Sequence, residues 1–486
     1  MRIFIIQILM LIGLGLYSQS YFSKSFNFSN YSDQGWHLIE QDKDFVFSFF
    51  TGLFDNSSPF VGVAKLTSSG ALLDSVIFDD EFISSKNTAF KNDTTYSLVT
   101  HLRTFGIPEI KIRTFDFDLN LIDEIKINPT REQRIKSIIL DNETTYLLAT
   151  QSKTNGYFEN YLYIIKNDSI IFEKALTPES LSENAIEIKL FQDGILVLSD
   201  IQESNGTHKP NLIYLKNDGE IEWIKKYEQI AIQSPNSRIE VNDRNIYLSQ
   251  HPVQDTNIFY NSTPSILIKL DSMGNRIWTQ SFAQRFHKNI DALVLAKNGD
   301  ILGVGTKASE DPDNWSGSKG WIFRISSSGA LKWDRSIVDN RYNFYQNCSL
   351  LEVIELESED ILMSGWIMDT SSNVINLKTS TWVVKLNKQG CFNENCDSSL
   401  IITSTISIEN ETSFKIYPNP FNNSFKIHSN SFPAKIKIYT IQGELIQQFS
   451  LFGQEKEIDT TLLPSGVYIV QLNKDSGIQV LKAVKR

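Results

Sequence analysis

Cysteine is nearly absent from this 486-residue chain. Three copies, Cys348, Cys391 and Cys396, are too few for a disulfide scaffold, so a fold must rest on buried apolar surface. The six histidines, His37, His101, His208, His251, His287 and His428, show neither HxH nor HxxxH spacing, which argues against zinc. No block rich in Lys or Arg is present and the formal charge is −11, so nucleic acid has no electrostatic footprint to bind. After residue 20 no apolar run reaches the length of a membrane-spanning helix. Also missing are the GxSxG elbow, the phosphate-binding P-loop and the dinucleotide fingerprint, so nothing linear points to acyl transfer, nucleotide hydrolysis or hydride transfer. With 57 Asp and Glu, a site assembled from distant carboxylates would escape a linear reading. Neither a metal nor a cofactor is expected. The oxygen-rich stretch Ser309 to Gly317 lacks the ordered acidic spacing of an EF-hand and reads as a solvated connection.

What the chain does have is aromatic and strand-forming residues, with 31 Phe and 17 Tyr among 12% aromatics, the balance of a folded β protein. Residues 1–20 place Arg2 before an apolar run from Ile3 to Leu16 and then Ser18, Gln19 and Ser20, the layout of a secretory signal. No cysteine comes after it that could carry a lipid, so a soluble mature chain is predicted. Export through an oxidising compartment permits a bridge between Cys391 and Cys396, which flank four residues and are suited to stapling a tight hairpin.

A repeat fills residues 21–396. A polar turn followed by an apolar strand begins at Phe45, Tyr96, Tyr146, Ile195, Ile246, Ile301 and Ile361. A second register comes at Leu66, Phe115, Ile165, Leu215, Leu270, Ile325 and Leu386, and the two rise and fall together. Glycine then recurs at 70, 219, 274, 329 and 390, where a tight hairpin turn needs positive φ. Each period of about 50 residues holds four short strands, which predicts an all-β, seven-bladed propeller of four-stranded blades, with a solenoid as the rival architecture. The repeat is also similar to quinone-binding propeller repeats in its Gly and Trp near a turn, but neither a vicinal cysteine pair nor a calcium set accompanies it, and no quinone is predicted.

Ring closure separates the rivals. Trp223, Trp278 and Trp333 are each followed four residues later by an apolar residue, Tyr227, Phe282 and Ile337, and Phe172 and Leu176 share the spacing. The last unit has Cys391 to Cys396 in that place, whereas Phe22 and Phe26 carry the same spacing near the N-terminus. The N-terminal strand is therefore expected to complete the last blade and remove the exposed sheet ends. The recurrent Trp residues read as packing between units rather than as a ligand-stacking array.

Residues 397–412 leave the repeat for a Ser/Thr/Ile/Asn-rich linker, and 413–486 return to short alternating strands of a small β-sandwich. Four motifs stand there in order. They are Ile416-Tyr417-Pro418-Asn419-Pro420-Phe421, then Ile438 to Ile446 with Gly443 at its turn, then Leu463-Pro464-Ser465-Gly466-Val467-Tyr468, and finally Leu481-Lys482-Ala483-Val484-Lys485-Arg486. This segment resembles the type A C-terminal sorting domain of type IX secretion substrates. The resemblance implies a domain that docks on the outer-membrane translocon and is commonly removed as the cargo is released or attached to the cell surface. It says nothing of the propeller.

The sequence thus favours a secreted or surface-attached propeller that binds a macromolecule, a glycan or a protein, through loops on one face. The longest candidate loops are 252–265 and 307–319. A polysaccharide-degrading enzyme with carboxylates at the channel is the second reading, and an envelope scaffold the third.

Overall fold

The computed structural model describes residues 21–486 apart from 29–31, 52–59, 80, 84–86, 93, 103–108, 128–132, 142, 154–156, 168, 178–181, 203–207, 228–236, 251–264, 283–287, 309–317, 340–346, 369–377, 393–399, 403–413, 430–433, 441–444, 452–454, 462 and 475–476. The described residues contain strands and turns and no α-helix. The chain divides into two compact units, residues 1–404 and 405–486.

In the first unit, Asp33–Gln41, Asp44–Thr51, Phe60–Leu66 and Leu72–Asp79 form an antiparallel sheet in chain order. The same order recurs in the sheets that run from Gln133–Asp141 to Ser169–Ala175, from Ser182–Phe191 to Ile221–Lys226, and from Arg238–Asn242 to Arg276–Ser281. In the sheet that contains Thr95–Leu102, the first position is divided between Glu81–Phe82 and Ala89–Lys91. The later sheets, starting at Lys288–Leu295 and at Asn347–Glu355, are linked in their backbones by one parallel bridge between Ser318 and Asn347.

The two sequence registers are opposite one another across the middle of each sheet. Phe45 pairs with Leu66, Tyr96 with Phe115, Ile195 with Leu215, Ile246 with Leu270, Ile301 with Ile325 and Ile361 with Leu386. This pairing explains why the registers drift together, since the loop between them sets both spacings. The unit expected to start at Tyr146 is one residue out. Thr145 pairs with Ile165 and Tyr146 with Ile164, because Thr144 and Thr145 already belong to the strand that a reading by large apolar residues starts at Tyr146.

Sheets pack face to face on their neighbours, which is what buries both faces of each one. Ile186 and Leu198 of one sheet share a cluster with Leu248 and Ile268 of the next, and Leu302 and Ile322 share one with Met363 and Val384. The last sheet closes on the first, with Leu362 and Val383 in one cluster with Phe45, Phe47 and Leu66. Phe22–Phe26 is the outer strand of that last sheet, paired antiparallel with Thr379–Leu386. The N-terminal strand therefore closes the circle as the recurrent spacing predicts.

The aromatic repeat packs between sheets. Trp278 lies against Gly329 and Trp333 against Gly390 of the following sheet, and Phe172 against Gly219. Phe22 fills the same place against Gly70, where a Cβ would stand 2.7 Å from its ring and φ is 80°. Past the last repeat, Leu400–Ile402 lies within the expected linker and pairs in parallel with Ser336, Ile337 and Val338.

In the second unit, Phe414–Tyr417, Ser424–Ser429 and Glu455–Asp459 form one sheet. Leu445–Leu451, Ala434–Thr440, Gly466–Lys474 and Gly477–Lys485 form the other in that order. Phe421, Phe425 and Ile427 meet Ile436, Val470 and Ala483 in one apolar cluster.

Candidate functional site

Inside the first unit the first strands of the sheets face the centre. Several of them border an open cavity of about 390 Å³ lined by groups that include His37, Ser137, Glu187, Lys189 and Glu352. Most of these strands carry a bulge, with register shifts at Trp36/Leu38, Ile135/Ser137, Ala185/Glu187, Ile290/Ala292 and Leu350/Glu352. One extra residue re-aims the side chains beyond it, and Ser137, Glu187 and Glu352 each stand directly after a bulge and line the cavity. His37 occupies a bulge at φ 37°. It accepts the Thr88 N–H on Nε2 at 3.0 Å, so Nδ1 carries the proton and donates to Ser48 Oγ at 2.8 Å.

The charged centre of the cavity is Lys189. Its ammonium lies 3.3 Å from Glu187 and 3.0 Å from Glu240 of the next sheet. Burial would lower the Lys189 pKa, but Glu240 and Glu187 outweigh it and raise it, so the group is a fixed cation. For Glu240 burial wins over Lys189 and the carboxyl is held above its ordinary range. Glu187 also accepts the Ile239 N–H at 3.1 Å, tying two sheets together.

A second polar group sits at the end of the strands from which the longer connections leave. Asp200, 2% exposed, accepts from His208 Nδ1 at 2.6 Å, and burial pushes the Asp200 carboxyl up to about 6. Beside it in the same sheet, Ser199 donates to Glu183, and Asn211 donates to Glu183 at 3.2 Å. Sequence reading missed both groups, since their members come from different strands and no motif joins them. The only linear signal is the alternation Glu187-Ile188-Lys189 in a strand that otherwise reads as core.

The predicted sorting residues converge in the second unit. Asn419 bridges the last strand, donating from Nδ2 to Lys482 O at 2.7 Å and accepting Val484 N–H on Oδ1 at 2.9 Å. Phe421 continues the contact, with its N–H on Val484 O at 2.8 Å and Arg486 N–H on its own carbonyl at 2.9 Å. Tyr417, Pro418, Asn419 and Pro420 are exposed, and the Tyr417 hydroxyl donates to Glu455. Leu463 packs at the edge of the apolar cluster while Pro464 and Gly466 are exposed. The buried Tyr468 donates to Pro464 O at 2.5 Å. Lys482 is exposed; Lys485 is the buried cation and donates to Thr460 O at 2.5 Å and Leu463 O at 2.7 Å. Gly443 lies outside the described residues. Of the cysteines, Cys391 is buried and disulfide-bonded and Cys348 is buried and free, while Cys396 lies outside the described residues.

Residues 415–486 match the family described as the secretion system C-terminal sorting domain. The C-terminal unit is thus a type IX sorting domain, and its presence implies export to the cell surface or into the medium. No curated protein matches the sequence. Among solved structures the chain is similar to the β-propeller domain of the trilobed protease from Pyrococcus furiosus, at 9% identity and a TM-score of 0.43, over 73% of this chain and 94% of that one. It is similar also to acylaminoacyl peptidase from Pyrococcus horikoshii, at 8% identity and a TM-score of 0.42, over 82% of this chain and 58% of that one.

Proposed function

We propose that this protein is a type IX cargo whose ring of seven four-stranded blades binds a macromolecule, a glycan or a protein, at the cell surface or in the medium, without transforming it. A sandwich-type sorting domain delivers it and is removed within the linker. One observation carries the binding reading. In the up-and-down sheets the connection after the second strand and the link to the next sheet start from one face, and the turns described on the other face are tight, such as Thr67 to Ala71. Long connections on a rigid ring form an adaptable surface of the kind that recognises large partners.

The second reading, a polysaccharide-degrading enzyme, draws on Asp200. A carboxyl near 6 is matched to proton transfer near neutral pH, and His208 orders it. Incubating the mature chain with a panel of polysaccharides, and measuring retention and new reducing ends in the same samples, distinguishes them. Retention without new ends is the expected outcome. New ends that vanish in Asp200→Asn would replace binding with catalysis.

A further inference from the structure

Each seam between sheets is built from a row of cross-strand neighbours on the face that one sheet turns to the next. The row reads Leu196, Tyr214 and Trp223 in one sheet, Leu302, Arg324 and Trp333 in another, and Leu362, Lys385 and Phe22 in the last. In the sheet that contains Thr95–Leu102 it reads Ser97, Thr114 and Asp123. The turn that would meet the ring differs as well, with Asn167 at φ 49° where Phe22, Trp278 and Trp333 lie against glycine. A hydrophobe, a long side chain and a ring are thus replaced by two hydroxyls and an exposed carboxylate. The exchange forgoes the apolar contact that holds the sister seams together.

In place of that contact the seam has a cavity of about 160 Å³. A space of about 150 Å³ admits one six-membered ring. Phe90, Ile112 and Ile165 give it apolar walls, while Ser97, Thr114 and Thr145 bring hydroxyls from both sides of the seam. Ser97 Oγ and Thr114 Oγ1 lie 2.9 Å apart and share one hydrogen bond, so the hydroxyl that accepts keeps a proton to give. Asn92 also lines the cavity. Its Oδ1 accepts the N–H groups of Thr94 and Thr95 at 2.9 and 2.7 Å, which fixes the amide and leaves its NH2 as a positioned donor. The exposed Glu143 adds an acceptor, and it lines a wider cavity of about 820 Å³ in the next seam together with Asp141, Lys166 and Asp218. The two spaces adjoin at this one residue, on the face of tight turns.

Apolar walls with a few placed donors and acceptors suit a ligand that is itself mixed. A pyranose is such a ligand, with C–H faces and a rim of hydroxyls that donate and accept. Three carboxylates, Asp141, Glu143 and Asp218, against the single ammonium of Lys166 disfavour an anionic sugar. Resting on the reading of the ring as a binding module, we propose a glycan site on the turn face, opposite the long connections. One uncharged hexose ring sits in the seam where sister seams hold an aromatic side chain, and the sugar chain continues past Glu143 into the wider cavity.

The test fills the seam. In the full chain, Asp123→Trp with Asn167→Gly restores the ring and the glycine of the sister seams. Isothermal titration with neutral oligosaccharides of glucose, mannose and galactose, and with an oligogalacturonate as charged control, is expected to show the parental chain binding a neutral series and not the charged one. The filled seam should weaken that binding by roughly tenfold or more, with thermal unfolding in place or moved upward. Thr114→Val keeps the shape, removes one hydroxyl and should weaken it by roughly threefold or more. Parental-strength binding by the filled-seam variant overturns the site, as does a parental chain that takes none of the neutral sugars. Should the filled-seam variant unfold early, unchanged binding in Thr114→Val overturns it instead. A filled-seam variant that still holds the same polysaccharide as the parental chain sinks the seam alone and leaves the loop face as the binding surface, whereas new reducing ends made by the parental chain sink the binding reading itself.

Discussion

Glu81 is 3% exposed and burial would raise its carboxyl, yet hydrogen bonds from Arg113, Thr100 and Lys111 hold it down near 2. Arg113 in turn lies 4.2 Å from the centre of the Phe78 ring and reaches Glu124 at 2.8 Å. A carboxyl depressed from 4.5 to about 2 adds stability that is complete above pH 4.5 and is lost as pH falls through 2. The shift corresponds to about 3 kcal/mol. Arg113→Met removes the cation and leaves the carboxylate buried, which costs about 3–5 kcal/mol at pH 7. Chemical denaturation at pH 7 should show that loss, and adding Glu81→Gln should recover part of it by removing a buried charge left with Lys111 as its one cation. An unchanged midpoint in Arg113→Met would mean that the pair contributes nothing.

At the scale of the strand, the bulges decide what was legible. The paired registers, the turn glycines and the closing Phe22 to Phe26 strand can all be read from spacing, because the second and third strands keep an uninterrupted alternation across each sheet. Most of the first strands do not. His37, Lys136, Ile186, Asp291 and Leu351 are the inserted residues, and each reverses the parity of its strand, so a period-two reading cannot tell channel from core. Glu187 and Lys189 were hidden for that reason, and Asp200 and His208 because eight residues and a loop separate them. The closing strand invites a direct experiment. Phe22 is 2% exposed, and Ser23 donates to Asp339 at 3.0 Å and accepts from Trp382 at 2.9 Å. Deleting residues 21–28 removes these contacts and leaves Thr379–Leu386 as an open edge. The loss should exceed the roughly 3–5 kcal/mol of a single buried Phe→Ala, with the added hazard of edge-to-edge association. Differential scanning calorimetry of the deletion checks it, and an unmoved transition would show the closing strand to be dispensable.

For the whole molecule, address and cargo are separate units with separate cores. The address was legible because its motifs are local and lie in order at one end. The cargo's partner was not, since a binding face is assembled from connections distant in sequence and varied in length. A chain ending at residue 412 keeps the whole first unit and is expected to accumulate in the periplasm; comparing its periplasmic and extracellular amounts with those of the full chain measures this.

The circle closed by Phe22–Phe26 also carries a record of completeness. The strand made first finds its hydrogen-bonded edge only when Thr379–Leu386 has been made, more than 350 residues later, so every shorter chain keeps Phe22–Phe26 without its partner strand. A prematurely ended or clipped chain therefore exposes an aromatic strand at one end and an unpaired edge at the other, two marks that a chaperone or protease can detect before such a chain leaves the cell.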